Sequence, residues 1–192
     1  DLDMYQLNHS VHANGTFGQK KTFEGVQHPL SGDKLMRNDL IPPPGGKKGG
    51  FTEVTMQSGI KSSVIGYGLS VVTGDVNNDG WPDIYVGNDF HENDYLYINQ
   101  HNGTFKEMLT EQIMHTSQFS MGADIGDFNN DGWGDIISLD MLPEDPYILK
   151  SSLGEDEYNL YHFKLEYGYA NQYARNALQK NNGDGTFSEI GM

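Results

Sequence analysis

The sequence predicts an all-β protein, part of a β-propeller built from four-stranded blades, with one partly helical insertion. Three observations predict it. The chain repeats itself internally, its apolar residues fall in short β-branched or aromatic runs, and an acidic nine-residue pattern occurs twice just ahead of such a run.

The repetition comes first because it sets the unit of structure. Residues 74–84, GDVNNDGWPDI, return as residues 126–136, GDFNNDGWGDI, displaced by 52 positions without a gap. A second element, D-x-L-x-x-N followed by G-T-F, runs from Asp94 to Asn99 and on to Gly103–Phe105. It returns with Asn176 in place of the acid, through Leu178 and Asn181 to Gly185–Phe187. A looser copy joins Asp33, Leu35 and Asn38 to Phe51 and Glu53 across the insertion LIPPPGGKKGG. Residues 3–8 align with 83–88 and 135–140, so the chain starts just inside an acidic loop. These copies divide it into a first blade at 1–60, truncated at its start, a second at 61–112, and a third at 113–192.

Runs such as Leu69–Val72, Ile84–Val86, Tyr95–Ile98 and Thr104–Phe105 are strand-like and are separated by Gly, Asn and Asp. Asn102-Gly103 and Asp184-Gly185 predict two-residue hairpin turns of type I′. Two hairpins per repeat make a four-stranded sheet. Such a sheet must stack on its neighbours to bury its faces, and four strands per unit favour a propeller. Three units do not close a ring, so the remaining blades of a longer chain are expected partners. Residues 141–175 interrupt the third repeat. There Tyr158, Tyr161, Leu165 and Tyr169, three and four apart, predict an amphipathic helix packed on the blades.

The acidic pattern reads D-x-N-x-D-G-x-x-D. Side chains at positions 1, 3 and 5, the carbonyl at 7 and the carboxylate at 9 can turn onto one hard cation that takes six to eight oxygens. The predicted donors are Asp75, Asn77, Asp79, the Trp81 carbonyl and Asp83 in the second repeat. In the third they are Asp127, Asn129, Asp131, the Trp133 carbonyl and Asp135. Oxygen-only donors on a flexible loop favour Ca2+, giving two complete sites. An EF-hand is excluded, because its position 12 needs Glu and falls here on Val86 and Ser138. The first repeat retains only Asp1 and Asp3, at positions 7 and 9, so no third site forms from this chain.

With these residues in view, the sequence resembles the FG-GAP (VCBS-type) repeats of integrin α-chain heads and many bacterial exported proteins. The strings FSMGADIGDFNNDGWGDI, LDMLPEDPY and NALQKNNGDGTFSEIG resemble most the bacterial group that pairs such repeats with an ASPIC and UnbV type domain. The resemblance implies a propeller of seven or eight blades, exported or displayed at the cell surface, with structural calcium in its blade loops. No ASPIC and UnbV type domain is expected within these 192 residues.

Composition narrows the function classes. The chain carries 12 Lys and Arg against 27 Asp and Glu, a formal charge of −15, which argues against nucleic acid and anionic lipid as partners. It has no cysteine, hence no disulfide and no thiol chemistry, and no apolar run long enough to span a membrane. No signal peptide can be read at its start. No G-x-S-x-G, P-loop or G-x-G-x-x-G motif is present. The chemical candidates are His9 with His12, and His91 beside Asp89 and Asp94. The expectation is a non-catalytic calcium-binding module whose rim loops meet a protein or glycan, with Tyr147, Tyr158, Tyr161, Tyr167 and Tyr169 suited to either. The alternative is the propeller portion of a carbohydrate-active enzyme such as a polysaccharide lyase.

Overall fold

The structure, a computed structural model, describes residues 2–13, 16–23, 26, 28–39, 49–151 and 156–191. Asp1 and residues 40–48 of the Pro/Gly-rich insertion lie outside the described residues.

Three antiparallel sheets follow one another along the chain. The first holds β1 (Met4–Gln6), β2 (Lys34–Asn38) and β3 (Phe51–Glu53). The second is a four-stranded meander of β4 (Gly68–Gly74), β5 (Asp83–Asn88), β6 (Tyr95–Asn99) and β7 (Phe105–Glu107). A short helix α1 (Leu109–Gln112) and β8 (Thr116–Ser117) lead into the third sheet. That sheet contains β9 (Gly122–Gly126), β10 (Asp135–Leu139), β12 (Ala177–Asn181) and β13 (Phe187–Glu189), again as a meander. Between β10 and β12 the insertion forms helices α2 (Pro146–Ser151) and α3 (Tyr158–Glu166) and strand β11 (Gln172–Tyr173), which pairs in parallel with β8.

The sequence copies keep one register. Tyr5 stands opposite Leu35, Tyr85 opposite Leu96, and Ile137 opposite Leu178. Because side chains alternate across a strand, this register sends equivalent residues to equivalent faces in every sheet. The middle sheet is packed on both faces, and every residue of β5 is buried. Ile84, Val86, Tyr95 and Tyr97 meet Leu35 and Ile60 on the first-sheet side. Tyr85, Leu96 and Ile98 meet Ile136 and Phe187 on the third-sheet side, joined by Val76, Leu109 and Ile113. Leu96 and Val86 are fully buried, and each such side chain contributes about 1.5–3 kcal/mol by leaving water.

Two local expectations are corrected. The turns at Asn102-Gly103 and Asp184-Gly185 are not two-residue type I′ turns. Each spans five residues, closed by the N–H of Gln100 to the carbonyl of Thr104 (2.9 Å) and of Asn182 to that of Thr186 (3.0 Å). Positive φ falls on His101 and Gly103, and on Gly183 and Gly185. The central Asn102 and Asp184 instead use a side-chain oxygen to accept from the N–H and hydroxyl of the Thr two residues on, an Asx-turn that holds them at ordinary φ. The insertion does contain a helix, and the predicted stripe is inward in part: Tyr161 and Leu165 are half-buried and Tyr169, beyond the helix end, packs with Val64 and Ile65, but Tyr158 does not follow. Tyr158 is exposed and packs on His162 in solvent, while Lys164 is buried and paired with Asp156 at 2.9 Å. The ion pair lets the buried Lys164 join these residues on the inner side.

Candidate metal centre

Each acidic loop joins the first two strands of its sheet, 75–82 between β4 and β5, and 127–134 between β9 and β10. In the second repeat Asp75 Oδ1 and Asn77 Oδ1 both accept the N–H of Asp79, each at 3.1 Å. Asp75 Oδ2 accepts the N–H of Gly80 at 2.8 Å, and Asp79 Oδ1 that of Trp81 at 2.8 Å. Asn77 donates to Asp79 Oδ2 at 2.8 Å. The third repeat makes the same five bonds among Asp127, Asn129, Asp131, Gly132 and Trp133, at 2.8–3.0 Å. Asn78 and Asn130 adopt φ 58° and 59°, and Gly80 and Gly132 φ 87° and 89°. Asparagine tolerates the first value and glycine the second, which is why the turn carries NDG.

The ninth-position acid has a different setting. Asp83 is buried, accepting the Val76 N–H at 3.0 Å and the Asn99 N–H at 2.8 Å. Asp135 does the same with Phe128 at 3.1 Å and Asn181 at 2.8 Å. Asp3 accepts the N–H of Asn38, also at 2.8 Å. The final Asn of D-x-L-x-x-N thus ties its strand, β2, β6 or β12, to the ninth-position acid. Burial raises the Asp83 carboxyl above the usual aspartate range, opposed by its two backbone donors and reinforced by the nearby charges of Asp79 and Asp75.

The donor chemistry fits a hard cation. The oxygens at positions 1 and 3 already share one N–H, position 5 is bonded to position 3, and position 9 senses the charges at 1 and 5. In the structure these oxygens are satisfied by the loop's own amides. Among the described residues no three His, Asp or Glu side chains stand close enough to hold a metal ion together. A cation would meet the second lone pair of the position 1 and 5 carboxylate oxygens, beside the backbone N–H groups they already accept.

The loops differ in what flanks them. Trp81 stacks on His101 at 5.3 Å and 18°, and His101 Nε2 is 2.7 Å from Asp79 Oδ2. That bond holds the Asp79 carboxyl below the usual range. In the third repeat Trp133 lies against Gly183, so closely that a Cβ there would fall 2.9 Å from the indole. Neither His101 nor Gly183 belongs to the acidic pattern, so the pattern missed both; the hairpin alignment places them at the same turn position.

Residues 75–138 match the family model of the FG-GAP-like repeat. That segment runs from the first acid of the second repeat to Ser138 in β10, so it takes in both loops and strands β5 to β9. The chain is also similar to integrin alpha-3 of Mus musculus, 30% identical over 90 residues, an alignment that covers 40% of this chain and 8% of that protein. The chain thus spans under a tenth of the length of that relative.

The histidine candidates are not gathered into a site. His9 pairs with Tyr67 by a backbone bridge, and His91 faces Phe17 at 4.8 Å with its pKa lowered by burial. Asp94 is turned away from His91, bonded to Tyr85 and Ser120 inside the sheet junction. A cavity of about 480 Å³ lies elsewhere, lined among others by Phe23, Ile60 and Tyr95, with the buried Lys20–Glu92 pair (3.0 Å) at its wall. It contains no loop acid. No described helix is long and apolar enough to cross a membrane.

Proposed function

We propose that the chain is a stretch of a calcium-stiffened β-propeller, exported or displayed at a cell surface, that binds a protein or glycan through its rim and catalyses nothing. The observation that carries this reading is the bond-for-bond identity of the two loops, each presenting hard oxygens at positions 1, 3, 5 and 9 where one sheet meets the next. Fixing such a loop fixes the junction, and calcium supplies that fixation without any demand for octahedral geometry. Likeness to integrin alpha-3 over part of the chain supports a binding module rather than an enzyme. The finer resemblance, to bacterial proteins with an ASPIC and UnbV type domain, rests on the three strings quoted above.

Further blades are part of the reading. Val76, Tyr85 and Leu96 of the second sheet are buried against the third. Of their equivalents in the third repeat, Phe128 is 52% exposed and Ile137 and Leu178 are half-buried. A fourth blade seated there would repeat the interface already formed between the second and third.

Calorimetric titration of the chelator-stripped chain with calcium tests the proposal, alongside Asp79→Ala and Asp131→Ala. The expected result is two sites in the parent and one in each variant. A folded parent that gives no heat would leave the loops as acidic turns and overturn the metal reading.

A further inference from the structure

The two acidic loops touch. Asn78, between the donors Asn77 and Asp79, sends its side-chain amide across the sheet junction to the carbonyl of Gly132, at 3.0 Å. That carbonyl belongs to the peptide whose N–H, on Trp133, donates to Asp131 Oδ1 at 3.0 Å. One peptide unit therefore separates a residue of the first loop from a proposed ligand of the second. Tilting this peptide to improve one bond disturbs the other, since its C=O and N–H are rigidly opposed.

A second bridge runs alongside. Asn181 donates through its side chain to the carbonyl of Val76 in the first loop (2.7 Å) and to that of Gly134 in the second (3.1 Å). Its own N–H is held by Asp135, and the Val76 N–H by Asp83. The ninth-position acids of both loops are thus joined through Asn181 and Val76, whose N–H and C=O belong to successive peptides.

Resting on the calcium reading above, we infer that the two loops take up calcium as a coupled pair, with Asn78 as the positioning residue that transmits order from loop 75–83 to loop 127–135. Ligation fixes the backbone of the first loop, and with it the αL conformation of Asn78 at φ 58°. A fixed Asn78 holds the Gly132–Trp133 peptide in the orientation that already aims Asp131 into its loop. The second ion then meets a loop whose ordering cost has been partly met, which is positive cooperativity without any large movement. Asn130 is the internal control. It has the same loop position and the same φ, and among the described residues its side chain reaches no carbonyl of another loop.

The sequence supplies its own reporters, because its two tryptophans fall one in each loop. With Trp81→Phe as the common background, fluorescence comes from Trp133 alone and reads loop 127–135. Calcium titrations in this background compare Asp79→Ala, Asn78→Gly and Asn130→Gly, with calorimetry to count sites and near-UV circular dichroism to confirm the fold. Coupling predicts that Asp79→Ala moves the Trp133 midpoint to about fivefold to tenfold higher calcium, in the ordinary range for linked sites. Asn78→Gly, which keeps every ligand and tolerates the αL backbone, reproduces most of that shift, and Asn130→Gly produces none. Two sites that titrate with an unmoved Trp133 midpoint in both Asp79→Ala and Asn78→Gly would overturn the coupling while leaving calcium binding intact. A shift in Asn130→Gly equal to that in Asn78→Gly would overturn it too, by showing a local backbone effect. Absence of calcium heat at either loop in the folded parent would instead remove the metal reading on which the coupling rests.

Discussion

The second and third sheets place the same backbone N–H at the end of their second strand and satisfy it in different ways. In the second sheet the N–H of Asn88 donates to Asp94 Oδ1 at 2.8 Å; in the third that of Asp140 donates to Asn176 Oδ1, also at 2.8 Å. The acid occurs where a tyrosine faces it from the neighbouring strand, with Tyr85 OH at 2.6 Å from Asp94 Oδ2. The neutral amide occurs where that position is Ile137. The first sheet follows the second, with Tyr5 OH and the Asn8 N–H on Asp33 at 3.0 and 3.1 Å. The difference teaches that this fold requires an acceptor here and not a charge. Where a tyrosine hydroxyl is buried at the junction, a second acceptor oxygen is needed, and aspartate provides it at the cost of burying a carboxyl.

The largest effect expected from this comparison is on stability. Asp94→Ala leaves the Tyr85 hydroxyl, the Asn88 N–H and the Ser120 hydroxyl without their shared acceptor inside a buried junction. At about 1–3 kcal/mol for each buried group left unpaired, the loss should be about 3 kcal/mol or more. Asn176→Ala removes one acceptor from an exposed N–H and should cost about 1 kcal/mol. Denaturant unfolding of the two variants measures the difference, and equal losses would break the comparison.

A smaller, graded effect follows from ionisation. Burial lifts the Asp94 carboxyl to about 7 against its three donors, and the Asp33 carboxyl to about 6. A raised pKa means that the folded chain binds the proton more tightly than the unfolded chain does. The associated stability is complete below the ordinary aspartate value near 4, and is lost as pH rises through 6 and 7. The buried Glu92, held low by Lys20 despite its burial, contributes in the opposite direction, with stability lost as pH falls. Comparing the parent with Asp94→Asn, which installs the third sheet's solution, isolates the first contribution. Between pH 5 and 8 the parent Tm should fall by roughly 5 °C more than that of the variant, at about 2–4 °C per kcal/mol for a domain of this size. Parallel Tm profiles would show that Asp94 stays ionised in the fold throughout.

Much of this architecture was legible because repetition in sequence becomes repetition in register. The displacement of residues 74–84 onto 126–136 locates both loops and the strands that follow them, and the D-x-L-x-x-N element locates β2, β6 and β12. Alignment of Tyr5, Tyr85 and Ile137 with Asp33, Asp94 and Asn176 already contained the paired substitution. Its two members lie in different elements, and only strand pairing brings them to bonding distance. The hairpin turns depart from type I′ for a local reason. Asn-Gly and Asp-Gly suit type I′ turns, but the following Thr offers its N–H and hydroxyl to the acid or amide, and the side-chain bond wins. The helix face is legible in part: Tyr161 and Leu165 lie inward, but periodicity counts rings and methyls and has no place for the ion pair that buries Lys164 while Tyr158 is exposed. The contact between loops had no signal at all, since Asn78 and Gly132 are 54 residues apart in two turns that look solvent-exposed.

The smallest expected effect separates the two loops themselves. His101 stands 2.7 Å from Asp79 and lies flat on Trp81, and the third repeat has Gly183 at that place. A cation entering loop 75–83 must take Asp79 Oδ2 from the imidazole, whereas Asp131 has no such competitor among the described residues. Replacing His101 by Ala should therefore tighten the first loop alone, by about threefold or less, since an exposed hydrogen bond is worth about 1 kcal/mol or less and the lost stacking on Trp81 offsets part of the gain. Trp81 fluorescence in a Trp133→Phe background reads that loop, and Trp133 fluorescence in the Trp81→Phe background reads the other. Tightening confined to the Trp81 signal would make the imidazole a competitor for the site. A weakened first loop would make it a support for the tryptophan, and the third repeat would then hold its own indole in place through close packing on Gly183.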